Sequence, residues 1–129
     1  MEDWKIKISV LWLVLGLTIL MEQIMGFLPP GSIEQVIAGE FLGIQITPEL
    51  MLVLAIILLI PPVMAFLSLT LKDLINRWAN IILGIVFAVL APIGLSDFLA
   101  QLSAWAILIG VSQVVAMALV VWYAYKWKV

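Results

Sequence analysis

The chain contains no cysteine and no histidine, and only 11% of its 129 residues are charged. Without cysteine there is no disulfide, no thiolate nucleophile and no iron–sulfur cluster. Without histidine there is no imidazole ligand for haem or copper and no imidazole proton relay. The six methionines are the remaining soft donors. A thioether alone is a weak ligand, so they read as adaptable packing. No metal site and no cofactor are expected, and neither is redox chemistry. A run of basic residues is also missing. The six Lys and Arg are scattered and the net charge is −2, which offers nucleic acid no surface.

What the chain has instead is apolar side chain, at 66% of residues, against about 45–50% in a soluble domain. A soluble core of this length could not hide that much surface from water, whereas a bilayer can. Four apolar stretches, near residues 8–28, 50–71, 78–95 and 100–125, are each long enough to span it. They predict an all-α integral membrane protein: one transmembrane domain over residues 1–129, built as an antiparallel four-helix bundle. Positive charge at Lys5 and Lys7 before an apolar run also describes a secretory leader. Here the run is long enough to span and Met25-Gly26-Phe27-Leu28 offers no small-x-small cleavage site, so the first span is expected to stay.

The first span carries the chemistry. Glu22 lies in it, and hydrocarbon penalises a charge by roughly 2.5–3.5 kcal/mol on insertion scales. Helical spacing puts Thr18, Glu22 and Gly26 in one row, with Trp12, Gly16 and Gln23 on the adjoining sector. Small and polar residues on one face mark the side that meets other helices, leaving Leu13, Ile24 and Leu28 for lipid. No Lys or Arg occurs inside any span, so hydrogen bonds from Gln23, Asn80, Gln113 or Trp12 are the partners available to Glu22. The candidate binding residues are therefore Glu22, Gln23, Thr18, Trp12, Asn80 and Gln113. Glu22 either bonds a neighbouring helix for structure alone or serves a polar interior site.

Beyond the first span, Pro29-Pro30-Gly31 ends the helix. Ser32-Ile33-Glu34-Gln35 has capping-box spacing for a short helix that Gly39 closes after Ala38. Ile33, Val36 and Ile37 would face the membrane surface, making this an interfacial helix in the first extracytoplasmic loop, and Leu42 to Ile46 would be extended. The segment is either a plain connector or a lid over the Glu22 end. Thr47-Pro48-Glu49 is a strong helix start. Pro61-Pro62 in mid-span predicts a kink. Asn76 is placed to cap the third helix, and Gly84, Ala88 and Ala91 form a small-residue seam on it. Gly94-Leu95-Ser96-Asp97 reads as a turn with a capping serine. In the fourth span, Ser103, Ala106, Gly110, Gln113, Met117, Val120 and Ala124 form one small, partly polar face. Trp122, Tyr123, Tyr125 and Trp127 form an aromatic belt, with Lys126 and Lys128 beside it.

Charge gives the orientation. Every Lys and Arg falls in the N-terminal lead, the second loop or the C-terminal tail, whereas the first and third loops hold Glu34, Glu40, Glu49 and Asp97. The positive-inside rule then puts both termini in the cytoplasm. Glu22 falls in the outer half of the membrane, roughly 9 Å inside the end of its span at about 1.5 Å per residue.

Three blocks of residues carry a family resemblance. They are Lys5-Ile6-Lys7-Ile8-Ser9 with Leu11-Trp12, Asn76-Arg77-Trp78-Ala79-Asn80-Ile81, and Trp122-Tyr123-Ala124-Tyr125-Lys126-Trp127. Together with the acid and the Pro-Gly turn after span one, the chain resembles a family of short four-helix prokaryotic membrane proteins of unknown function. That resemblance implies the fold and no activity.

Three kinds of function fit. The first is a small membrane protein whose polar helix faces bind or pack, alone, as a homo-oligomer or as a partner subunit, with lipid as its solvent and the ligand open. The second is a proton-coupled transporter. Met21-Glu22-Gln23-Ile24-Met25-Gly26 is faintly similar to the first span of the small multidrug-resistance exporters, although their loops are short and the dual-topology members show little charge bias. The third is an enzyme using Glu22 as acid or base, for which no motif supplies a second catalytic group. The first is the expectation, and no enzyme is expected.

Overall fold

The computed structural model describes residues 3–28, 30–41, 44–94 and 103–126. In chain order these form α1 (Asp3–Met25), α2 (Ser32–Ile37), β1 (Glu40–Phe41), β2 (Ile44–Gln45), α3 (Pro48–Thr70), α4 (Asp73–Gly94) and α5 (Ala104–Lys126). The four long helices are each long and apolar enough to cross a membrane, and they make an all-α four-helix bundle.

Local chemistry explains most boundaries. Asp3 sits in the first turn of α1, where the helix dipole favours an acid, so the helix takes in the polar lead. It ends at Met25, three residues short of expectation, where Phe27 and Leu28 donate back to Ile24 and Met25 in tighter turns. Pro29 follows in the sequence, and a residue before proline is pushed out of helical geometry. Thr47 caps α3 as expected: its hydroxyl accepts from the Leu50 N–H at 3.1 Å, and Pro48 takes the first helical position. The helix α3 continues through Pro61 and Pro62 as one element. Neither proline has an N–H, so the Ile57 and Leu58 carbonyls lose their usual donors there.

Two local expectations need correction. Asn76 does not cap α4, because that helix starts at Asp73 with an acid of its own in the first turn, and Asn76 lies inside it, fully buried. The capping box at Ser32 does not form either. Gly31 is the cap residue, at φ 89°, and no side chain bonds the helix start. Glycine reaches that left-handed conformation without a Cβ penalty, and Ser32 is thereby drawn into the helix. Within the segment expected to be extended from Leu42 to Ile46, Ile44–Gln45 is a strand, paired antiparallel with the residues just before it: Glu40 opposes Gln45 and Phe41 opposes Ile44. Gly39 closes α2 as expected, at φ 83°, and its carbonyl accepts from the Ile46 N–H at 2.7 Å.

Contacts along each helix pair run in opposite directions. On α1, Ser9 meets Ala65 and Gly16 meets Pro61 of α3. Trp4 of α1 meets Tyr123 of α5, and Glu22 meets Gln113. On α4, Arg77 meets Ala124 and Gly84 meets Val121 of α5. Helix α1 packs against both α3 and α5, and α5 against both α1 and α4, whereas α3 and α4 meet little beyond their shared turn. The core lies among Ile8, Trp12, Leu15, Met64, Phe87, Met117 and Val120. The face expected on the fourth span is the buried one: Ala106, Gly110, Gln113, Met117, Val120 and Ala124 are all buried, and Ser103 is half-buried. Leu13, Ile24 and Leu28 are exposed, as the first-span reading placed them. The turn expected at Leu95-Ser96-Asp97, the extended residues Leu42 and Gly43, and Trp127 and Lys128 of the belt lie outside the described residues.

Candidate functional site

The six candidate residues fall into two separate groups along α1. Near the α3–α4 turn, the Trp12 Nε1–H donates to Asn80 Oδ1 at 2.6 Å, and the Ser68 hydroxyl donates to the same oxygen at 3.2 Å. The Asn80 amide donates in turn to Asn76 Oδ1 at 2.6 Å and to the Asn76 carbonyl at 2.8 Å. Asn76 then donates to the Ser68 carbonyl at 2.8 Å. That carbonyl belongs to the last turn of α3, where four carbonyls lack helical partners, so Asn76 caps α3 rather than its own helix. Beside this group the Ser9 hydroxyl donates to the Ala65 carbonyl at 2.8 Å. Trp12, Ser68, Asn76 and Asn80 are all fully buried, and no polar side-chain atom among them lacks a partner. A closed network of this kind fixes how α1, α3 and α4 sit together.

Ser9, Ser68 and Asn76 are the members that helix-face reasoning missed. The signal was present: Asn76 and Asn80 stand four apart on one helix row, with Ser68 just across a short turn.

Further along α1, Glu22 is half-buried and turned toward α5. Gln113 Nε2–H donates to Glu22 Oε2 at 3.4 Å, a long bond where charge-assisted ones run about 2.7–2.9 Å. The other atom of that amide, Gln113 Oε1, is buried with no hydrogen-bond partner. Of the four partners open to Glu22, Gln113 is the one engaged, while Trp12 and Asn80 are committed to each other. Gln23 is half-buried next to Glu22. Thr18 spends its hydroxyl on its own helix, donating to the Leu15 carbonyl at 2.8 Å. Met25 and Trp105 pack with Ala106 and Ile109 in a small apolar cluster at this end of the bundle.

The two ends of the bundle differ in charge. At the Trp12 end, Lys5 pairs with Asp73 at 3.0 Å and Arg77 donates to the Ala124 and Tyr125 carbonyls at 3.1 and 3.2 Å. Arg77 thereby caps the last turn of α5, where a cation also suits the helix dipole. Lys7 lies over the rings of Trp4 and Tyr123, and Lys126 over that of Trp122. At the Glu22 end the described ionisable groups are Glu22, Glu34, Glu40 and Glu49, and none of the described bases is there. Among the described residues between α1 and α3, neither α2 nor the two strands pack against α1 or α5. Helix α2 touches β1 alone among the described elements, and Ile33, Val36 and Ile37 are exposed.

No curated protein and no solved structure matches this chain. A family model does match it, over residues 1–129, and the chain belongs to that family of unknown function, DUF6326.

Proposed function

We propose that this protein is a small multi-pass protein of the cell membrane, with both chain ends on the cytoplasmic side, and that the Glu22–Gln113 contact is a binding site. The single observation that carries the reading is the buried, unpartnered Gln113 Oε1 beside a carboxylate. Leaving such an atom unpaired costs about 1–3 kcal/mol. The contrast within the same bundle is direct, since the Trp12–Asn80 network, a packing seam, satisfies its groups. A half-buried carboxylate beside a buried, unpaired amide oxygen is suited to an occupant that brings donors.

The test is native mass spectrometry of protein extracted in mild detergent, comparing wild type with Glu22→Gln. A binding site predicts a small molecule or lipid retained by wild type and lost by the variant, with the helical content of both unchanged by circular dichroism. Equal retention, or none in either, would leave Glu22 a structural residue.

A further inference from the structure

We propose that the occupant of the Glu22–Gln113 site is a primary ammonium group carried on an apolar body. This rests on the binding-site reading above and names its ligand class.

The inference starts from what the site offers. Glu22 presents carboxylate oxygens and Gln113 presents Oε1, so two neighbouring helices supply acceptors that need hydrogen-bond donors. The one donor between them, Gln113 Nε2–H, reaches Glu22 only at 3.4 Å. A carboxylate adds negative charge, and no described Lys or Arg on α3, α4 or α5 stands near it. The bases of α4 and α5, Arg77 and Lys126, are at the opposite end, and α3 has none. The acids Glu34, Glu40 and Glu49 sit at the same end, so the field there draws cations.

A bare metal ion fits poorly. Hard divalent cations collect about six to eight oxygens, and no group of three carboxylates or other ligating side chains occurs among the described residues. A quaternary ammonium has the charge but no N–H to give. A primary ammonium has three N–H donors, one for Glu22, one for Gln113 Oε1 and one to spare.

The surroundings specify the rest of the ligand. The apolar cluster of Met25, Trp105, Ala106 and Ile109 lies at this end of the α1–α5 seam. Glu22 is three residues from the end of α1, about 4.5 Å of helix rise. That depth is within reach of the headgroup level, and Glu22 is half-buried rather than sealed in the core. An amine headgroup of a lipid and a free amphiphilic amine present the same chemistry here.

The experiment uses the purified full chain in detergent. Binding of submicellar dodecylamine and of dodecyltrimethylammonium is followed by native mass spectrometry and by ligand-dependent shifts in thermal unfolding. Short-chain phosphatidylethanolamine and phosphatidylcholine are run in parallel. The primary amines should bind at least ten-fold more tightly than their quaternary counterparts. Glu22→Gln and Gln113→Leu should each reduce that binding at least ten-fold. Gln113→Leu removes the unpartnered oxygen and keeps an apolar side chain of similar reach, so the unliganded variant should fold.

Preference for the ethanolamine lipid with no response to dodecylamine assigns the site to a headgroup; response to both assigns it to amphiphilic amines at large. Equal binding of primary and quaternary forms, or binding untouched by Gln113→Leu, overturns the proposal. So does the absence of binding by any amine. A non-amine molecule lost in Glu22→Gln would sink the ammonium class while leaving the binding-site reading standing.

Discussion

Asn80→Ala is the sharpest probe of what holds the bundle together. The substitution removes the acceptor of the Trp12 indole N–H and the donor to Asn76 Oδ1, both buried contacts of 2.6 Å. Ser68 loses the same acceptor, but its hydroxyl can rotate onto a carbonyl of its own helix. Two buried groups are therefore orphaned. At about 1–3 kcal/mol each in a water-soluble protein, and with measured interhelical bonds in membranes averaging about 0.6 kcal/mol, the expected loss is about 2–4 kcal/mol including the small cavity. Trp12→Phe keeps the edge-on contact with Phe87, whose centroid is 5.7 Å away, and deletes the indole donor. A double-mutant cycle between the two positions should give a coupling of about 0.6–1.7 kcal/mol. The assay is reversible unfolding in mixed micelles of mild detergent and dodecyl sulfate, followed by far-ultraviolet circular dichroism so that loss of a tryptophan does not alter the signal. Stability of Asn80→Ala within about 0.5 kcal/mol of wild type, the ordinary range for an exposed substitution, would refute the reasoning. So would zero coupling with Trp12→Phe, since the 2.6 Å bond would then carry no energy.

Two glycines should respond oppositely to the same change. A Cβ on Gly84 would stand 2.7 Å from Val121 Cγ2, so Gly84→Ala should cost about 1–3 kcal/mol through overpacking. A Cβ on Gly16 would meet Pro61 Cβ at 3.5 Å, an ordinary contact, so Gly16→Ala should match or exceed wild type in the same unfolding titration; the reverse order would contradict the α4–α5 packing. Reporter fusions after Val129 and within the first loop at Gln45 should give opposite compartment signals, with Val129 cytoplasmic. Both orientations from one fusion would mean that the basic end does not set topology.

Periodicity in the sequence shows which face of a helix is buried, and the polar stripe of α5 from Ala106 to Ala124 was legible for that reason. Capping chemistry is equally local, so the Thr47-Pro48-Glu49 start was legible too. Partner choice is not local. Nothing in the order of residues says that Asn80 pairs with Trp12 rather than with Glu22, because α1 offers both and the outcome depends on how far α4 slides along it. Asn76 misleads for a related reason. A short polar residue just after a turn suits its own helix start, yet the tight Leu71-Lys72 connection brings it under the end of α3, whose free carbonyls it satisfies. Ser32 loses its cap to a backbone effect, since Gly31 can take a dihedral that no other residue there takes cheaply.

The pairing of α5 with both α1 and α4 bears on how the protein is made. A ribosome delivers α3 and α4 in succession, but these two touch little past their turn. When α4 enters the bilayer, its Gly84 face has no neighbour and Arg77 has no helix end to hold. Both find their partners only when the fourth span arrives, and the Glu22–Gln113 contact then joins residues 91 positions apart. The Gly84 and Arg77 contacts therefore wait on the last helix, whereas the network that joins α1, α3 and α4 needs no residue of α5. A chain halted before that point would differ from the finished bundle in two places, an unfilled glycine face and an arginine with no helix end to hold.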